Sequence, residues 1–439
     1  MKRIKRNQLV FKLFESLNRE DIKYSVLRNY EYLPESCGTS DLDIIIALDD
    51  IFRFNHILSS LCEGDATLVS FTEDSCSPKV CMLTCKEGIQ IDVFKGHVYY
   101  NSRILVNEQS VFRNTHTYNG ISVLDDNFAV LIAFLKEILN NGKCCSKYLN
   151  PVLDNKKVYT TDYLRSNFSL LGTNFIQSLA DSIQNETLSQ DIPLLVKEGR
   201  QLFTKQGIGL NNYFFKLKRL FKQPGYTIAF LGTDGSGKSF IINSVTPILN
   251  EAFHNGIRYE HMRPNHLPSL AVLMGKKEKT DKPEVCSDPH GSKPAGFVGS
   301  LVRLSYYWLD YTWGYFRKVF LDKAFKTHLW IFDRYYYDYI VDPLRARLSL
   351  PSWIIKLYGF FVPTPDLIIC LGGDPNKIYA RKPETSLEEV KRQTQVLQKF
   401  CNSHEKAVWV DTTVAPEESI HNAMQAVQKM MSVRFKAIK

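Results

Sequence analysis

The chain has 439 residues, 44% hydrophobic, 23% charged and 12% aromatic, which excludes the disordered and fibrous classes and predicts two or three domains rather than one core. A formal charge of +9 turns the surface toward anionic partners, and charge alone admits nucleotides, nucleic acid, anionic glycans and a membrane surface. No stretch is apolar enough to cross a bilayer, because the best candidate, residues 352–371, is interrupted by Lys356, Pro363, Pro365 and Asp366. The basic start Met1-Lys2-Arg3-Ile4-Lys5-Arg6 runs into Lys12, Glu15 and Arg19 without the apolar segment of an export signal. A cytoplasmic protein is expected, with its ten cysteines reduced. Cys76, Cys81 and Cys85 cluster, but without the paired spacing of a zinc site.

Residues 7–94 open with a helix-like face (Leu9, Val10, Leu13, Phe14, Leu17) and continue with strand-like runs at 22–28, 41–48, 67–71 and 89–94. A small α+β domain over residues 1–124 is predicted. Gly38-Thr39-Ser40-Asp41-Leu42-Asp43 leads into the apolar run 44–48, so Asp41 and Asp43 enter a strand on one face. Asp92 stands in a second strand, Ile89-Gln90-Ile91-Asp92-Val93-Phe94. Three strand carboxylates that converge can hold one or two magnesium ions, neutralising a triphosphate and orienting an attacking hydroxyl. The arrangement resembles the nucleotidyltransferase superfamily, and Gly142-Lys143 with Lys147-Tyr148 extend the match weakly. The resemblance implies metal binding at Asp41, Asp43 and Asp92. It departs from the family where a glycine-serine turn should bind phosphate, since the strand before the aspartates ends Val26-Leu27-Arg28-Asn29-Tyr30. An active transferase, aspartates at a strand edge, and a degenerate domain that binds only substrate all fit these residues.

From residue 125 to about 223 helical periodicity takes over (Phe128, Val130, Leu131, Phe134, Leu135, Ile138), predicting a helical extension or connector. Gln223-Pro224-Gly225 breaks the composition, and over 224–439 strands alternate with helices, the pattern of an α/β parallel sheet with crossover helices. Strands are predicted at 226–231, 329–332, 367–371 and 408–410, with a helix over 387–400. The polar, lysine-rich stretch 275–296 is expected to be a surface loop, either functional or disordered.

The octad Gly232-Thr233-Asp234-Gly235-Ser236-Gly237-Lys238-Ser239 fits GxxxxGK[ST] between a buried strand and a helix-like run. Glycines are needed there so that backbone amides can turn inward on phosphates. Lys238 would reach the β- and γ-phosphates, the Ser239 hydroxyl would ligate magnesium, and the helix N-terminus would face the same anion. Asp333, at the end of a neighbouring strand, supplies a second acidic group for the metal, and Arg334 a guanidinium for the transferring phosphoryl group.

This P-loop, together with Asp333-Arg334-Tyr335, resembles thymidylate kinase over about the last half of the chain. The resemblance implies a P-loop kinase fold that uses ATP and magnesium. It places the Asp-Arg-Tyr element at the active centre and an acceptor-binding arginine after the second strand, matched by Arg263 in Tyr259-Glu260-His261-Met262-Arg263-Pro264. It also places a basic lid over the phosphates, matched by Arg381-Lys382 ahead of Lys391 and Arg392. The family's Arg-Glu-Pro-Gly form is missing, and Asp333-Arg334-Tyr335 runs on as Tyr336-Tyr337-Asp338-Tyr339. The acceptor segment is long and aromatic (Tyr306, Tyr307, Trp308, Tyr311, Trp313, Tyr315, Phe316), with at least half of these rings expected in the core. An ATP-dependent kinase for a nucleotide or sugar-type acceptor is the leading expectation. A bifunctional kinase and nucleotidyltransferase, and a nucleotide-gated binding or defence protein with slow ATP hydrolysis, are the alternatives.

Overall fold

A computed structural model of the chain describes residues 6–204, 210–273 and 295–435, so the lysine-rich stretch lies outside the described residues except for its last two positions. The chain divides into two compact units. The first runs up to Met82 and from Ile89 to Leu217; the second takes Leu83–Gly88 and the chain from Lys218 to Phe435, the last described residue. Among the described residues no helix is long and apolar enough to cross a membrane, and the described cysteines are free.

The first unit opens with the helix Gln8–Arg19, capped by the Asn7 side chain, which accepts from the amides of Leu9 and Val10. Its five apolar residues at helical spacing are all buried. The strands are β1 (Tyr24–Val26), β2 (Leu42–Ile46), β3 (Thr67–Thr72), β4 (Lys79–Leu83), β5 (Gly88–Lys95), β6 (Val98–Tyr100), β7 (Arg103–Val106), β8 (Thr115–Tyr118) and β9 (Ile121–Leu124). Strands β6 and β7 form a ribbon, and the rest a seven-stranded sheet in the order β3-β4-β5-β2-β1-β9-β8. Strand β2 is antiparallel to β1 but parallel to β5, which pairs the whole of β2 with Ile91 to Lys95 and sets Asp43 beside Asp92. The helices from Asp126–Asn141 to Leu188–Thr204 pack into one core with this sheet: Phe128, Leu135, Phe175 and Leu195 share a cluster with Ile45, Phe94 and Leu105.

In the second unit β10 (Tyr226–Gly232), β11 (Ile257–His261), β12 (Leu329–Asp333), β13 (Leu367–Gly372) and β14 (Ala407–Asp411) form a parallel sheet in the order β11-β12-β10-β13-β14. Side chains alternate faces along a strand. Ala229 and Leu231 join a core with Leu304 from the helix Phe297–Leu309, Tyr311 from the π-helical turn Asp310–Gly314 and Leu397 from the helix Leu387–Ser403, while Ile228 and Phe230, on the other face, are equally buried. Both faces are therefore covered, as a parallel sheet requires. This is the α/β P-loop fold that the alternating rhythm predicts.

The aromatic segment is one long helix, Phe297–Leu309 continuing through π-helical turns into Leu321–Lys326. Tyr311 and Tyr315 are buried, Tyr307 and Trp308 pack against the core, and Trp313 and Phe316 are exposed.

Asp366, just before β13, ties the sheet to its surroundings. Its carboxylate accepts from the Thr227 amide (2.7 Å), Lys323 Nζ (3.0 Å) and Arg434 Nη2 (2.6 Å). Burial raises its pKa, and Lys323 and Arg434 more than reverse that, holding it below the usual carboxylate value. Asp366→Ala would leave the buried Lys323 unmatched and is expected to destabilise the protein by about 3–5 kcal/mol, read as a lowered urea midpoint.

Candidate active site

The P-loop octad is shaped by steric necessity. Gly235 and Gly237 have φ of 81° and 80°, in the left-handed region. A Cβ on Gly235 would lie 2.6 Å from the Ile378 carbonyl oxygen, and one on Gly232 would lie 2.4 Å from Ser236 Oγ. The helix Lys238–Ala252 starts directly after the loop, so its free N-terminal amides face the loop's concave side. Lys238 folds back, and Nζ donates to the carbonyls of Gly232 (2.9 Å) and Thr233 (3.0 Å). Burial, with Arg334 adding to it, pushes the Lys238 pKa down to about 8. Ser239 is exposed in the first turn of the helix, while Thr233 Oγ1 and Ser236 Oγ are buried without a hydrogen-bond partner among the described residues.

Parallel pairing places Asp333 opposite Phe230 on β10 and His261 on β11, one strand away from the P-loop. Its Oδ2 accepts from the Tyr259 hydroxyl (3.0 Å); its Oδ1 is buried and has no hydrogen-bond partner among the described residues. Arg334 has φ of 74° and lies buried between acids: Nη2 meets Asp234 Oδ1 at 2.7 Å, and Nη1 pairs with Asp338. Arg345 pairs with the other oxygen of Asp234. For Asp234, burial raises the pKa, and Arg334, Lys238 and Arg345 bring it below the usual value.

Arg263 follows β11, and its Nη1 lies 3.0 Å from Asp310 Oδ2. Asp310 is fully buried and also accepts from the amides of Asn265 (3.1 Å), His266 (3.0 Å) and Leu267 (3.0 Å), so it organises the turn that carries Arg263. The Arg263 guanidinium stands 5.0 Å from the Tyr307 ring centroid. Arg381 ends the helix Pro375–Arg381 and donates to the Thr412 carbonyl (2.8 Å). It rims an open cleft of about 240 Å³ lined by Gly237, Phe240, Ile241, Thr412 and Pro416, beside the P-loop octad. Arg392 is occupied by Glu389 (2.7 Å) and Lys382 by Glu384 (3.1 Å).

A second constellation forms within the first unit. Asp43 on β2 and Asp92 on β5 are in register, Asp41 immediately precedes β2, and one ligand oxygen from each lies within 4.8 Å of the others. Cations surround them: Arg28 Nε is 2.5 Å from Asp43, and Lys79 Nζ is 3.3 Å from Asp92. Burial pushes the Asp92 pKa up to about 6 against the pull of Lys79, and it also raises Asp43 against the pull of Arg28. Lys136, on the helix Asp126–Asn141, is lowered by burial while Asp43 opposes the shift. Arg28 thus stands where the resemblance would have a phosphate-binding turn.

The sequence reading did not identify Asp338, Arg345, Asp310, Lys79 or Lys136 as site residues. Only Asp338 carried a local signal, four residues after Arg334 in the run it ion-pairs across.

No family model matches the chain, and no curated protein does. Among solved structures, thymidylate kinase from Ehrlichia chaffeensis aligns at 16% identity and a TM-score of 0.31, covering 46% of this chain and 98% of that one. Thymidylate kinase from Candida albicans aligns at 15% identity and a TM-score of 0.34, covering 47% and 92%. Similarity at this level carries no argument about chemistry, which rests on the geometry above.

Phosphates in the loop would favour the charged form of Lys238, so binding from solutions above its pKa must take up a proton. Affinity for a magnesium nucleoside triphosphate is expected to fall by up to about tenfold per unit of pH above about 8. Calorimetry across that range should show the decline in the wild type and none in Lys238→Met.

Proposed function

We propose that the second unit is an ATP-dependent phosphotransferase that moves the γ-phosphoryl group to a small acceptor. The observation that carries this reading is the P-loop itself: two left-handed glycines, a helix N-terminus, and a buried Lys238 held against the loop carbonyls within the field of Asp333 and Arg334. In this reading the phosphates displace those carbonyls as partners of Lys238, and the loop amides take the phosphate oxygens. The cleft beside Gly237 receives the base, with the Arg381 guanidinium as a flat cationic face at its rim. Arg334, fixed by Asp234 and Asp338, orients the loop and stabilises charge developing on the phosphoryl group. Ser239 and Asp333 are the side chains on offer to magnesium, which when bound would neutralise charge on the β- and γ-phosphates. The test is MgATP turnover with candidate acceptors. Lys238→Ala is expected to reduce turnover by about 100-fold or more through loss of a charge-assisted contact to the transferring group. Turnover that no acceptor accelerates would favour a nucleotide-gated switch instead.

A second activity in the first unit, nucleotidyl transfer, is favoured by one observation: the in-register approach of Asp43 and Asp92 with Asp41 beside them. Three carboxylate oxygens this close fit a hard divalent cation. Bound there, such a cation would supply triphosphate neutralisation, with Arg28 and Lys79 holding the acids in place. Manganese binding followed by electron paramagnetic resonance is expected in the wild type and in Lys238→Ala, and is expected to be lost in Asp43→Asn. Label transfer from a nucleoside triphosphate should follow the same pattern.

A further inference from the structure

In the second unit the helix Ser352–Gly359 buries Ile354 and Ile355 but turns four large apolar side chains to water: Trp353 (65% exposed), Leu357 (54%), Phe360 (83%) and Phe361 (60%). They stand at i, i+4, i+7 and i+8 across the helix and its C-cap, which is one face. That face is held in place from beneath: the Tyr336 hydroxyl donates to the Ile355 carbonyl (2.8 Å), the Tyr335 hydroxyl donates to the Pro363 carbonyl (2.7 Å), and a Cβ on Gly359 would lie 2.9 Å from the Tyr336 ring. The rings are displayed from a packed helix.

The helix Phe297–Leu309 packs against this one, with Ser305 Oγ 3.0 Å from the Tyr358 hydroxyl and the Trp308 and Tyr358 ring centroids 6.0 Å apart. Leu304 on one helix and Ile354 and Ile355 on the other enter the same core, so the outer faces of both look away from the sheet on the same side. Val298, Val302 and Leu309 share the outer face of the longer helix, and Trp313 follows four residues on in its π-helical continuation, all of them exposed. Trp353, Phe360 and Phe361 alone present roughly 400 Å² to water. The second helix carries the surface beyond the roughly 300–600 Å² that is usual for the largest apolar patch of a single chain. A patch of that size marks an interaction surface.

Charge identifies the partner. From residue 295 to 365 the sequence holds nine lysines and arginines, five aspartates and no glutamate. Asp310, Asp333, Asp338 and Asp342 are buried and Asp322 is bridged to Lys326 and His328, whereas Arg317 and Lys356 are exposed and the Arg317 guanidinium lies 5.8 Å from the Trp313 ring centroid. The elements that carry the apolar face thus add cations to it and no exposed carboxylate. A second copy of the chain laid on this face would set cations against cations. The lysine-rich stretch 275–293 offers Val285 and no leucine, isoleucine, methionine, phenylalanine, tyrosine or tryptophan, too little to cover it. Aromatic and aliphatic side chains on one helical face with lysine and arginine beside them are what the interface of an anionic bilayer accepts. We propose that this face docks on an anionic phospholipid surface, with Trp353, Leu357, Phe360 and Phe361 entering the boundary between headgroups and acyl chains and Arg317 and Lys356 meeting the headgroup phosphates.

The experiment incubates the full chain with vesicles of phosphatidylcholine alone, or of phosphatidylcholine with an equal share of phosphatidylglycerol, and reads co-sedimentation. Partition onto the anionic vesicles is expected to exceed that onto the neutral ones by about tenfold or more. Phe360→Ser combined with Phe361→Ser should lower partition by about tenfold or more, and Lys356→Glu should do so by a similar factor on the anionic vesicles. Because these side chains are exposed, both variants are expected to keep the wild-type urea midpoint. Brominated acyl chains should quench tryptophan emission of the bound protein, and Trp353→Phe should bind as the wild type does with part of that quenching lost. No partition onto anionic vesicles, or partition that the double phenylalanine variant leaves intact, overturns the inference. So does a lipid-free dimer in sedimentation velocity that the same double variant dissociates, since a second copy then covers the face.

Discussion

A guanidinium cannot be buried without matching charge, and the second unit is arranged around that constraint at Arg334. Two carboxylates from opposite directions meet it: Asp338, one helical turn later, and Asp234, from within the P-loop. Because Asp234 also holds Arg345, the loop, the end of β12 and the 3₁₀ turn Pro343–Ala346 become one electrostatic body. Buried pairs of this kind contribute little net stability against an apolar alternative, but breaking one is costly, so they fix geometry more than they deepen the fold. The geometry fixed here is the mouth of the P-loop.

The first unit handles the same problem with the signs exchanged. There the carboxylates cluster, and Arg28, Lys79 and Lys136 come from three different elements to hold them. Burial still holds Asp92 above the usual carboxylate range, with Lys79 pulling the other way. In the second unit one oxygen, Asp333 Oδ1, is left without a hydrogen-bond partner among the described residues inside an otherwise balanced network.

How much of this was legible in the sequence follows from how far apart the partners lie. The P-loop could be read because strand, turn and helix are contiguous, and the glycine positions answer to local sterics. The fully buried strands β10, β12 and β13 stood out as apolar runs between turn signals. Strands β6 to β9 did not, being three or four residues long with weak alternation. The convergence of Asp41, Asp43 and Asp92 could be proposed only as a possibility of strand placement, since it depends on β2 lying parallel to β5, a pairing that no local pattern encodes. Neutralisation of Arg263 was out of reach: Asp310 is 47 residues away, inside a helix where an acid at that position reads as an interruption of an aromatic face.

The order of strands in the second sheet carries a consequence for how the site comes into being. Strand β10, which leads into the P-loop, is central and pairs only with β12 and β13, each about a hundred residues or more further along the chain. Non-local parallel pairing of this kind makes for slow folding, because loop closure must precede the contacts that reward it. The octad is therefore a complete motif as soon as it is synthesised, but not yet a binding site. It acquires its floor from Leu371, which crowds Gly232, and its charge partner from Arg334, only once the late strands have docked. On the proposed reading, nucleotide capture would report on the completeness of the sheet, and a ligand present during folding would select for chains that have finished it.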